Sequence, residues 1–132
     1  MIKVSQKAGI AALQAHASFL DSGSGFAYFV YYSDTKPATV ESAANLANAL
    51  CVLSLPEPCI KQVLSDGIEL YETATALATQ AGIAVWARLY NGNNEPYADF
   101  AIGTSGADIV LNTVDIALGS SQKIDSIILK PF

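Results

Sequence analysis

The side chains able to do chemistry are few and far apart. His16 is the only histidine, and Cys51 and Cys59 are the only cysteines. Nucleophilic catalysis of the Ser/His/Asp or Cys/His kind needs a base within hydrogen-bond reach of its nucleophile. His16 lies far from any obvious nucleophile and is expected on the surface of a helix, so no catalytic residue is assigned. Two cysteines fall short of the ligand set that a zinc site takes at short paired spacings. Asp99, Asp108, Asp115 and Asp125 are the densest carboxylates. They could gather at a sheet edge around a hard cation, but they lack calcium-loop spacing. Solvent-facing acids that keep strand edges from pairing with other chains are the simpler account. The stretch Gly103-Thr104-Ser105-Gly106 lacks the lysine and following helix of a phosphate loop and reads as a turn. No metal and no cofactor are expected.

Whatever the chain does must then rest on the elements that carry its larger side chains. The clearest is a hairpin. From Gly82 to Tyr90, alternation sets Ile83, Val85, Ala87 and Leu89 on one face and Ala84, Trp86, Arg88 and Tyr90 on the other. Asn91-Gly92-Asn93-Asn94 tolerates the backbone angles of a tight reversal. A second arm resumes alternation through Ala98, Phe100 and Ile102. Further strands are expected at Ala107 to Thr113 and Gln122 to Leu129, which makes an antiparallel β domain.

Upstream, Ser5 can cap a helix running to about Leu20, with Ile10, Leu13, Ala17 and Leu20 on one stripe. The helix packs on its own sheet or reaches a neighbouring subunit. Phe26 to Tyr32 reads as an aromatic strand, with Phe26, Tyr28, Val30 and Tyr32 on one face and Ala27, Phe29 and Tyr31 on the other. Leu50 to Leu55 reads as a buried strand stopped by Pro56-Glu57-Pro58. Ile60 to Tyr71 reads as a hairpin about Asp66-Gly67. Val40 to Asn48 fits a helical turn or a loose connection equally, and Glu72 to Ala81 fits either an exposed strand and loop or a short helix. The bend at Pro56 and Pro58 leaves Cys51 and Cys59 as either a disulfide or two buried thiols.

The length of 132 residues suits one domain, residues 1–132, and composition narrows the partners. A net charge of -5 without a Lys or Arg cluster argues against nucleic acid. No apolar run reaches the roughly 20 residues that span a bilayer, and Met1 to Lys7 leads into no signal-peptide core, so no membrane and no secretion are expected. The chain is 52% hydrophobic and 14% charged, which leaves apolar surface for partners unless Ala and Gly account for the excess.

The run from Ala81 to Asn91, followed by Pro96 to Asn112, resembles small virion proteins encoded in tailed-phage and prophage structural-gene clusters. The order of the N-terminal helix, the aromatic strand and the Leu-rich strand stopped by Pro56 extends the likeness over most of the chain. The resemblance implies a β-sandwich or jelly roll with one N-terminal helix, and a non-enzymatic structural role. Capsid decoration, or cement, is the first expectation, and a tail, neck or fibre-base part is the alternative. It implies a place in the virion after assembly in the host cytoplasm. The partners would be the major capsid protein and copies of the chain itself, with a trimer expected at a three-fold position. From the residues alone, a carbohydrate-binding module is a third reading. Expected contact residues are the aromatics Tyr28, Tyr32, Trp86, Tyr90 and Tyr97, with Arg88 as a central polar anchor and the terminal Lys130-Pro131-Phe132.

Overall fold

Ser5 opens the helix as its composition requires, accepting the Ala8 N–H at 3.1 Å through Oγ. In the computed structural model, which describes residues 3–130, this helix α1 spans Gln6–Leu20. Its buried stripe is Gly9, Leu13, Ala17 and Leu20, with Ile10 packed at the margin. Twelve strands follow among the described residues. They are β1 (Tyr28–Tyr32), β2 (Ala49–Ser54), β3 (Ile60–Val63), β4 (Ile68–Leu70), β5 (Ala76–Leu77), β6 (Gly82–Ile83), β7 (Trp86–Tyr90), β8 (Pro96–Gly103), β9 (Ile109–Val110), β10 (Asp115–Ile116), β11 (Ser121–Gln122) and β12 (Ile127–Leu129).

The large sheet has the order β2-β1-β7-β8-β9, and a smaller one has the order β12-β4-β3. Two short ladders, β10-β6 and β11-β5, complete the set. Alternation turns Phe29 and Tyr31 of β1, Cys51 and Leu53 of β2, and Ala87 and Leu89 of β7 to one side of the large sheet. There they join Leu13, Ala17 and Leu20 of α1, Ile68 and Leu70 of β4, and Ile127 of β12 in one core. The fold is therefore a mainly β sandwich with an N-terminal helix. The large sheet forms one layer, and the helix with the small sheet forms the other. Each Leu or Ile buried there contributes roughly 1.5–3 kcal/mol.

Four expectations change. The arm Gly82 to Tyr90 is not one strand: Gly82–Ile83 pairs with Asp115–Ile116, and only Trp86–Tyr90 lies in the large sheet. At the break Ala84 donates to the Val114 carbonyl, whereas Val85 donates to that of Tyr32. Ile83 and Val85 are consequently exposed, while Ala87 and Leu89 are core. The run after Gly106 pairs over Ile109–Val110 alone and lies parallel to β8, and just before it the Asp108 carboxylate accepts the Ala101 N–H at 2.9 Å. The last strand is divided into β11 and β12, on different ladders. Phe26 stands outside β1, more than half exposed.

Three unresolved readings are settled. Val40 to Asn48 is a loop ending in a 3-10 turn at Leu46–Asn48, and Glu72 to Ala81 is loop with the short β5. Cys51 and Cys59 are separate free thiols, both buried. Burial above all pushes Cys51 up to about 11 and Cys59 up to about 12.

Candidate functional site

The register of the large sheet assembles three rows on the face turned away from the core. Tyr28 lies between Ser54 and Tyr90, Val30 between Val52 and Arg88, and Tyr32 between Ala49 and Trp86. Side chains directly opposite each other on neighbouring strands therefore meet. The Tyr28 and Tyr90 rings stack at 5.0 Å, and the Tyr32 and Trp86 rings stack at 4.5 Å. The Tyr32 and Tyr90 hydroxyls are 2.8 Å apart, and the Tyr28 hydroxyl donates to Asn94 Oδ1 at 2.8 Å. Burial raises the Tyr32 phenol well above its ordinary value, and the bond to Tyr90 adds to this. Tyr28 moves the same way, through burial first and then Tyr90.

Arg88 organises the centre. The hairpin register sets it opposite Asp99, and the guanidinium reaches both carboxylate oxygens, from Nε at 2.6 Å and from Nη2 at 3.1 Å. Nη1 donates to the Ser42 carbonyl at 2.7 Å, and the guanidinium carbon lies 5.2 Å from the Trp86 ring centre. Hydrogen bonding to Asp99 raises the arginine pKa further. Trp86 Nε1 donates to Asp34 Oδ1 at 3.0 Å. Through these contacts the loop after β1 is fastened over half of the face. The other half stays open as a cleft of about 630 Å³. Tyr28, Val30, Tyr90 and Val52 lie on its sheet side, and Val40 and Leu46 on its loop side. Leu46 is 74% exposed and Val52 49%. The cleft can hold an apolar group against tyrosine rings, and its one cation is already bound by Asp99.

Tyr28 and Tyr90 thus stand at the cleft, half-buried, as an accessible surface requires. Tyr32, Trp86 and Arg88 do not fit the expectation of exposed contacts: each is at most 2% exposed, sealed by the loop and by one another. Tyr97 lies on the opposite side of the sheet, against the main core. Its hydroxyl is 2.9 Å from His16 Nδ1, and burial raises its pKa. His16 is accordingly half-buried on α1 rather than free on the surface. Pro131 and Phe132 lie outside the described residues.

Asp34, Asp99, Ser42 and Asn94 complete the face without having been expected there. Only Asp99 left a trace in the sequence, as the acid facing Arg88 across the hairpin. The others come from loops, where no periodicity points to a partner. Among the described residues no group of three His, Cys, Asp or Glu side chains could hold a metal ion. No helix among them is long and apolar enough to cross a membrane. Fold and cleft together define a β-sandwich whose large sheet carries a preformed, mostly apolar recess. Set against protein-family models, curated proteins and solved structures, the chain matches none.

Proposed function

We propose that the chain is a non-enzymatic structural protein of a tailed-phage virion, a decoration protein that stabilises the head by bridging shell subunits. The observation that carries this reading is the open apolar recess on the large sheet, rimmed by Leu46 and Val52 and set in a scaffold whose arginine is already paired. An apolar recess suits capture of a side chain or loop from a shell subunit. Modest contacts of that kind add when several copies or sites engage together. The sequence resemblance supplies the virion context. Copies of the chain, as a trimer at a three-fold position, and the major capsid protein are the partners this reading requires.

The test is to add purified protein to otherwise complete heads lacking it and to image them with symmetry analysis. Regular density on the outer shell supports decoration, and its local symmetry gives the oligomer. Density confined to the tail axis moves the protein to the tail or neck. A carbohydrate-binding role is favoured by one observation, the half-exposed Tyr28 and Tyr90 rings beside Asn94 at one end of the recess. Retention on host polysaccharide without binding to particles would select it.

A further inference from the structure

A second groove, of about 690 Å³, differs in chemistry from the recess. Phe26, Pro56, Tyr71 and Ala74 line it, together with the carboxylates Glu57 and Glu72. Its base is held by backbone bonds among three segments. Leu55 donates to the Ala27 carbonyl, Ala74 to that of Ser54, and Tyr71 to that of Cys59, each at 2.8 Å. Phe26 and Tyr71 are the large apolar side chains here that the fold leaves outside its core, at 57% and 39% exposed. Aromatic faces attract cations, and carboxylates beside them add charge of the right sign.

The charges of the groove are only partly met within the chain. Glu57 has no ion-pair partner among the described residues. Glu72 shares Lys123, at 2.9 Å, with Asp125 at 3.9 Å. Both ends of the Glu72 pair are open to water, so an incoming cation can exchange with it. The net charge of -5 disfavours an acidic visitor.

We propose that this groove is a docking site for an arginine side chain presented by a partner protein, with its guanidinium against Phe26 or Tyr71 and its N–H fork on Glu57 or Glu72. Arginine fits better than lysine because its planar group stacks on a ring while its edge pairs with a carboxylate. A protein is the source because one exposed cation–aromatic contact binds a free amine only weakly. Presentation on a larger surface makes such a contact effective. The inference is independent of the virion reading and of the recess.

The test titrates the full chain, ¹⁵N-labelled, with N-acetyl-arginine amide and follows amide shifts. N-acetyl-citrulline amide, its uncharged counterpart, is the control. The expected result is a concentration-dependent set of shifts at Phe26, Tyr71, Thr73 and Ala74, several-fold smaller with the citrulline compound and reduced by added salt. Phe26→Ala and Glu57→Gln should each weaken binding several-fold without lowering the melting temperature, because both side chains are exposed. Absence of concentration-dependent shifts at these amides would overturn the proposal. Equal response to the citrulline compound would also overturn it, by reducing the groove to an apolar one.

Discussion

Arg88 and Asp99 show what a single pair decides. Their side chains are 3% and 6% exposed, so each charge depends on the other for the solvation it has lost. Asp99→Asn leaves the guanidinium short of a counter-charge and is expected to cost about 3–5 kcal/mol in urea unfolding. The double replacement Arg88→Met with Asp99→Leu should recover most of that loss. An equally large loss in the double variant would mean that the bond to the Ser42 carbonyl, rather than the ion pair, holds the face. The thiols set the alkaline limit. Cys51 and Cys59 titrate at about 11 and about 12 in the folded chain, against 9.0 ordinarily. Their contribution is full below pH 9 and is lost as pH rises toward the folded values, because the unfolded chain releases those protons first. Stability measured by chemical denaturation should therefore begin to fall near pH 9. A Cys51→Ala, Cys59→Ala variant should lose this first part of the decline. At this scale the sequence was legible only in part. Alternation set Trp86, Arg88 and Tyr90 on one face, as found, but it is blind to a loop that covers the face. Trp86 and Arg88 consequently read as contacts when they are buried.

At the scale of the element, legibility followed length and local chemistry. The helix and the hairpin between β7 and β8 carry their own signals, a serine cap and an Asn/Gly reversal. Asn91 closes that reversal itself: its Oδ1 accepts the N–H groups of Asn93 at 3.0 Å and Glu95 at 2.9 Å. Asn94 takes the left-handed conformation, at φ 64°. The two-residue strands β5, β6, β10 and β11 are too short for any period to show, and their pairing comes from chain segments distant in sequence. One contact ties the hairpin loop to the end of the helix. Gly25 donates to the Gly92 carbonyl at 3.1 Å, and a Cβ at Gly92 would run into the carbonyl oxygens of Ser22 and Gly25. Gly92→Ala should therefore destabilise by ~1–3 kcal/mol through overpacking, seen as a lower melting temperature. An unchanged melting temperature would show that the two loops can separate freely.

For the molecule as a whole, the sandwich was legible because its long strands alternate. The recess was not, because half of it is made by Val40 to Leu46, a stretch with no period of its own. Alternation set Tyr28 and Tyr90 on the outward face of their strands, whereas Val52 and Leu46 needed the register and the loop. The two surface features divide the labour by chemistry. The recess offers apolar contact beside a neutralised arginine, and the groove by Phe26 offers aromatic contact beside carboxylates of which, among the described residues, only Glu72 is paired, with Lys123. The central claim concerns the recess, and it is tested most directly by measuring how the protein binds to purified heads that lack it, with Val52→Asp measured in parallel. Val52 is half exposed, so the variant should keep its melting temperature. The account predicts saturable binding of the unmodified chain and at least about a tenfold loss with Val52→Asp, since a carboxylate entering an apolar contact must be desolvated. Undiminished binding by Val52→Asp, or no binding by either protein, would contradict it.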